Sequence, residues 1–251
     1  MAVFMDLNLS SSCCVRSLIE SAAQLGFSTV AINYVFEPSK KKQEIPTPKP
    51  INELIDQLPI VQRPNAAEYR SFDLLAVQPT TEKLFHAACL LYDVDIICIL
   101  VTEKLPFFFK RAPVSGAVDR GVAFEVSYSA AIRDSTMRRY TIANAVSLME
   151  SCKGRNVILS SAAEKALELR GPYDVTNLGL LFGLSDKDSK EAISSTCRSV
   201  LLHAETRKTA SGIIYTMKSC SESCDQQEAP PQSEQCDAPA AKKHKNAPTD
   251  S

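Results

Sequence analysis

Histidine is scarce in this chain: His86, His203 and His244 are the only three among 251 residues. No multinuclear metal site can be assembled from so few imidazoles. His86 falls inside an apolar helical pattern, where a satisfied core residue is expected, and His203 also lies in a helical stretch. A Ser-His-Asp triad therefore lacks a histidine at a strand end. No run approaches the ~20 apolar residues that span a bilayer. Met1 is followed by an acid at Asp6, without the basic, apolar and small-residue order of a secretory signal. The chain reads as intracellular and soluble, with no membrane partner. Its nine cysteines contain no Cys-x-x-Cys pair. Cys89, Cys98, Cys152 and Cys197 sit within apolar patterns, which suits buried reduced thiols rather than a disulfide framework.

From Lys218 to Ser251 there is no Val, Ile, Leu, Met, Phe, Tyr or Trp. Such a segment cannot bury enough apolar surface to offset its conformational entropy, so 218–251 is expected to be a disordered polar tail behind one domain over 1–217. Within it, Pro239-Ala-Ala-Lys-Lys-His-Lys245 resembles a short basic nuclear import signal carried by Lys242, Lys243 and Lys245.

Charge is balanced overall, with 28 Lys and Arg against 29 Asp and Glu. Removing the tail leaves 24 bases and 23 acids. The exception is Thr102 to Arg139, which carries seven cations (Lys104, Lys110, Arg111, Arg120, Arg133, Arg138, Arg139) and four acids. Two readings stand. The segment is a solvated rim with Phe107, Phe108 and Phe109 in the core, or it is a surface for a polyanion. In its middle, Val122-Ala-Phe-Glu-Val-Ser-Tyr128 alternates as a strand should.

Strands and helices otherwise alternate along the chain. Strand patterns occur near Val3–Leu9, Ser28–Val35, Phe72–Val77, Asp95–Val101, Val122–Tyr128 and Asn156–Ser161. Helical ones follow from the serines at 10–12 to about Gln24, near Thr81–Leu91 and over Ser135–Ser151, and one ends near Arg170-Gly171-Pro172. Beyond it, helices are expected over Thr176–Leu184 and Ser185–Glu205. Pro38, Pro46, Pro48 and Pro50 with Lys40 to Lys42 mark residues 36–50 as a basic loop, and Ile51–Leu58 as a short amphipathic piece. Repeated strand-helix units point to a parallel sheet and a TIM-type barrel. In such a barrel the strand ends offer Asp6, Asn8, Asn33, Gln78, Thr102, Ser127, Ser129, Ser160 and Ser161.

The segments TEKLPFFFKR, DRGVAFEVSYS, IRDSTMRRYTI, GRNVILSSAAE, LELRGPYDVTNLGLLFGLS and LLHAETRKT, with MAVFMDLNL and TEKLFHAACLLYDVD before them, closely resemble one family over most of residues 1–217. That family is the thirty-kilodalton protein subunit of ribonuclease P, shared with ribonuclease MRP. The resemblance implies a TIM-barrel-like α/β fold, a degenerate form of the phosphoesterase-type barrel. Between Val61 and Phe72, near residues 62–71, this chain is shorter than family members usually are by about one strand-helix unit. A closed barrel tolerates that poorly, because strand edges are left unpaired.

The resemblance also implies a non-catalytic role in the removal of 5′ leaders from precursor transfer RNA, with catalysis by the RNA and no cofactor held by this chain. The implied partners are the ribonuclease P RNA, a small RRM-like subunit, other ribonuclease P and MRP proteins and a second copy of the chain. The implied place is the nucleus and nucleolus, with a share in ribosomal RNA processing. The alternative is a metal-dependent phosphoesterase on the same barrel, but those enzymes begin with His-x-His where this chain has Asp6-x-Asn8. Lys104, Lys110, Arg111, Arg120, Arg133, Arg138, Arg139 and Arg170 are the candidate RNA contacts. Arg138 and Arg139 stand in the first turns of a helix, where cations oppose the macrodipole unless a phosphate sits beside them. The competing expectation pairs one of them with Asp134 or Glu125.

Overall fold

A computed structural model describes residues 3–11, 15–35 and 72–209. The chain divides into two units, Met1–Ile214 and Tyr215–Ser251, and every described residue belongs to the first. The expected loop at 36–50, the piece at 51–58, the shortened stretch at 62–71 and the tail with Lys242, Lys243 and Lys245 all lie outside the described residues.

Every strand pairing among the described residues is parallel. Strand β1 (Met5–Ser10) pairs with β2 (Thr29–Asn33), while β3 (Ala76–Val77), β4 (Ile96–Cys98), β5 (Ala123–Ser127) and β6 (Val157–Ser160) pair in that order. Leu9 bridges to Ala163 just past β6, and the Ala162 N–H donates to the Asn8 carbonyl at 2.9 Å. In space the order is therefore β2-β1-β6-β5-β4-β3. Nearer their N-terminal ends β1 and β6 part, and Ala192-Ile193 enters between them: the Met5 N–H donates to the Ile193 carbonyl at 2.9 Å and the Leu159 N–H to Ala192 at 3.2 Å. The α/β class with parallel strands is as expected. A closed barrel is not completed among the described residues, since β2 and β3 do not pair with each other.

Helices follow the strands: α1 (Val15–Leu25), α2 (Glu82–Leu90), α3 (Arg111–Asp119), α4 (Ser129–Arg133), α5 (Ser135–Cys152), α6 (Pro172–Leu181), α7 (Asp186–Glu191) and α8 (Ser195–Lys208). Local chemistry sets their ends. Gly26, at φ +100°, terminates α1. The Thr81 hydroxyl accepts the Leu84 N–H at 3.3 Å to start α2. Asp134 caps α5 by accepting the Thr136 and Met137 N–H groups at 2.8 and 3.0 Å, and the bond from Met137 leads in holding its carboxyl below the usual range.

Alternation along each strand sorts the side chains into two cores. Ile97, Phe124, Val126 and Leu159 join the cluster that includes Leu18, Phe85, Val114 and Leu148 of the helices. Met5, Leu7, Ile96, Ala123 and Ile158 join a second cluster with Cys197 and Val200 of α8. Burying an aliphatic or aromatic side chain of this kind stabilises by about 1.5–3 kcal/mol. The sheet is thus covered by helices on one face and by α8 on the other.

Several expectations need correction. Helices α3 and α4 were hidden because Pro113 and Gly116 read as breakers and α4 is only five residues long. Pro113 stands in the first helical turn, where its missing N–H has no partner to lose. A Cβ on Gly116 would come within 2.7 Å of Leu90 Cδ2, so the small residue permits the close approach of α2 and α3. The helix expected to end at Arg170-Gly171-Pro172 is only a single 3-10 turn at Ala166–Glu168. Gly171 and Pro172 instead open α6, Pro172 as its first residue. The one helix expected over Ser185–Glu205 is two, α7 and α8, broken where Ala192-Ile193 enters the sheet. His86 is exposed rather than buried, because α2 turns Phe85, Ala88 and Cys89 inward and residue 86 lies off that face. Of the three phenylalanines only Phe107 and Phe109 are in the core, and Phe108 is 85% exposed. Cys98 is half-buried rather than buried like Cys89, Cys152 and Cys197, and none of these four is in a disulfide.

Candidate nucleic-acid interface

Parallel strands place their C-terminal ends on one rim, where α4, the start of α5 and the turn after β6 gather. Four candidate arginines are carried by these elements. The Arg133 guanidinium forks Glu168, with Nε and Nη2 each 2.7 Å from a carboxylate oxygen, and reaches Glu164 at 3.3 Å. That fork ties α4 to the turn after β6. Arg170 donates to the Leu167 and Leu169 carbonyls at 2.8 Å, and its own N–H donates to the buried Tyr128 hydroxyl at 3.2 Å. Arg138 Nε donates to the Ala131 carbonyl at 2.8 Å. Arg139 is exposed and makes no ion pair among the described residues.

The competing expectation for Arg138 and Arg139 gains nothing from this geometry. Asp134 caps α5, and Glu125 lies inside the sheet. Glu164 and Glu168 pair with Arg133, and Arg138, Arg139 and Arg170 make no ion pair among the described residues.

Lys110, Arg111 and Arg120 do not join this cluster. Along α5, Asn144 holds the Leu100 and Glu103 carbonyls at 3.0 and 2.8 Å, and Ser151 holds the Phe109 carbonyl at 3.0 Å. The loop after β4 therefore descends the helix, and Lys110 and Arg111 start α3 roughly 18 Å from Arg139 at 1.5 Å per residue. Lys110 pairs with Glu82 at 2.7 Å on the surface, and Lys104 and Arg111 are exposed without an ion pair among the described residues. Arg120 is at the opposite end of the sheet. Its guanidinium clamps the carbonyls of Ala88, Cys89 and Tyr92, closing the C-terminus of α2 as a cation there should.

Beneath the rim is a buried polar network that joins several of the strand-end residues. Glu125 accepts from Asn8 Nδ2 at 2.9 Å, from the Ser160 hydroxyl at 2.6 Å and from Cys98 Sγ at 2.7 Å. Asn33 donates to Asn8 Oδ1 at 3.0 Å. Asp6 Oδ1 accepts the N–H groups of Asn8 and Ser161 at 3.2 and 3.1 Å, while Oδ2 has no partner among the described residues. Burial, only partly offset by Ser161 and the Asn8 N–H and reinforced by Glu125, pushes the Asp6 carboxyl up to about 6. Among the described residues no three His, Cys, Asp or Glu group so as to hold a metal. Gln78 and Thr102 stay outside the network. Sequence reasoning passed over Glu125 as a member. The signal was there: one acid at an inward position of an otherwise apolar strand.

A second buried carboxylate holds the opposite end. Asp95, before β4, accepts from Arg207 Nε and Nη2 at 3.1 and 2.8 Å, from the Leu75 N–H at 2.8 Å, and bonds His203 Nδ1 at 2.9 Å. Burial works against its ionisation, but His203, Arg207 and Leu75 together hold its carboxyl below the usual range. The same Asp95 bond raises the His203 imidazole, over an opposing effect of partial burial. These residues dock α8. No pattern in the sequence links positions so far apart.

Comparison with known proteins completes the picture. The family model described as "RNase P subunit p30" matches residues 3–209. The chain belongs to that family. It is 53% identical over 246 residues to the Ribonuclease P protein subunit p30 of Mus musculus, covering 87% of this chain and 92% of the mouse protein. It is 32% identical over 216 residues to the Probable ribonuclease P protein subunit 3 of Schizosaccharomyces pombe, covering 81% of this chain and 89% of that protein. A chain in a cryo-EM structure of archaeal Ribonuclease P with mature tRNA is 15% identical with a TM-score of 0.48, covering 87% of this chain and 90% of that one, a likeness too distant to bear on function.

Proposed function

We propose that this chain is a non-catalytic protein subunit of ribonuclease P and ribonuclease MRP, supporting 5′-leader removal from precursor transfer RNA and ribosomal RNA processing in the nucleus and nucleolus. The observation that carries this reading is the family match over residues 3–209 together with 53% identity to a mouse subunit of that name. In this role the particle's RNA supplies the catalysis, and the chain contributes surfaces for that RNA, for a small RRM-like subunit and for a second copy of itself. The rim arginines Arg138, Arg139 and Arg170 would hold phosphate: they make no ion pair among the described residues, and arginine forks grip phosphate oxygens through two hydrogen bonds. Lys242, Lys243 and Lys245 would direct nuclear import.

The test is to tag the full chain in cells and sequence the RNA that co-purifies. Ribonuclease P RNA should be strongly enriched, and a double Arg138→Ala, Arg139→Ala variant should recover less of it at raised salt. Absence of that RNA from the purified material would sink the reading. A reporter fused to the chain should lose nuclear accumulation when Lys242, Lys243 and Lys245 are replaced by Ala; unchanged localisation would remove the import role.

A further inference from the structure

Phe108 is the most exposed of the described aromatics, at 85%. Its two neighbours are buried. Phe107 and Phe109 each lie 5.3 Å from Phe85, ring centroid to ring centroid, and meet each other edge to face at 5.9 Å. The Phe109 carbonyl is tied to α5 by the Ser151 hydroxyl at 3.0 Å. A backbone anchored on both sides holds Phe108 outward, so little freedom is lost when something packs on it.

A lone exposed apolar residue is ordinary; this one stands among cations. Arg111 makes no ion pair among the described residues, and Lys110 pairs with Glu82 in an exposed setting where such a pair is worth little and can yield to a phosphate. Helix α3 starts here without an acid in its first turn or a side-chain cap.

We propose that Phe108, with Lys110 and Arg111, is a platform on which an unpaired base of single-stranded RNA stacks while the adjoining phosphates rest on the two cations. It is separate from the arginine rim. A base offers a π face to the ring and a phosphate to the cations. An apolar protein groove would instead cover Lys110 and Arg111 without partners, which is costly. The inference rests on reading the chain as an RNA-associated subunit.

The full-length protein is titrated with a short labelled single-stranded oligouridylate and with a blunt RNA duplex of the same length, over a range of salt. Phe108→Ala should weaken oligouridylate binding roughly ten-fold with the salt slope unchanged, and leave duplex binding alone. Phe108→Tyr should bind as wild type, and Arg111→Ala should lower the salt slope by about one unit. Oligouridylate binding unaffected by Phe108→Ala overturns the proposal, as does a variant that keeps RNA binding but loses a co-purifying protein. If ribonuclease P RNA still co-purifies in that case, the subunit reading survives. If Phe108-dependent oligouridylate binding persists without ribonuclease P RNA, the platform survives and the subunit reading fails.

Discussion

Two aspartates are buried among the described residues, and their surroundings are opposite. Asp95 is fully buried, with an arginine fork, a histidine and a backbone N–H around it, and its carboxyl is held low. Asp6 is 1% exposed, has Ser161, Asn8 and Glu125 rather than a cation beside it, leaves one oxygen unpartnered among the described residues and is pushed up to about 6. Burial alone therefore does not fix a carboxylate's state; compensation does. The compensated one secures α8 to the end of the sheet where strands begin. The other lies in the polar interior beneath the rim.

The largest test of this contrast removes the compensation. Arg207→Ala strands the Asp95 carboxylate in a buried site, and should destabilise the fold by about 3–5 kcal/mol in denaturant unfolding at neutral pH. Adding Asp95→Asn should recover part of that loss. If the single variant costs under about 1 kcal/mol, the two aspartates are less different than their partners suggest.

Asp6→Asn should act the other way. A carboxyl raised in the folded state favours folding when protonated, and that contribution is lost as pH rises through about 6. The wild type therefore carries a penalty at pH 8 that fades toward pH 4. Replacement by Asn should stabilise by about 1–2 kcal/mol at pH 8, with the advantage shrinking as pH falls. A pH-independent difference between the two proteins would mean that Asp6 does not titrate in this range.

His203 gives a smaller effect with the same sign. Its imidazole is raised by Asp95, so its bond stabilises most below the ordinary histidine value of 6.5 and weakens as pH rises through the folded value. The stability gap between wild type and His203→Ala should be widest in mild acid and narrow in alkali. Thermal melts at several pH values would show it, and a gap that widens with pH would contradict the assignment.

The smallest expected change in stability is at the rim. Arg139→Ala removes a side chain with no ion pair among the described residues, so its melting temperature should match wild type. Its salt slope for RNA binding should fall by about one unit. A clear loss of stability would return Arg139 to the scaffold.

Much of this was legible from sequence because it depends on neighbours in the chain. The β5 alternation and the long α5 were visible over Val122–Tyr128 and Ser135–Ser151, since strand and helix periods are local. Asp6, Asn8, Ser160 and Ser161 were visible as strand-end candidates, because parallel strands put their ends together. Helix α3 was not, because Pro113 and Gly116 are breakers unless they fall in a first turn or against a close neighbour such as Leu90.

The sequence by itself determined the family, the strand-helix alternation and the inventory of cations and buried polar groups, all of which are read residue by residue. Tertiary structure alone decided which charges are free. It gave Arg133 to Glu168, Arg120 to the end of α2 and Arg207 to Asp95, and it left Arg139 and Phe108 outward. The physical reason is that an ion pair or a buried carboxylate is settled by groups within a few ångströms in space, and here those groups lie tens to more than a hundred residues apart along the chain.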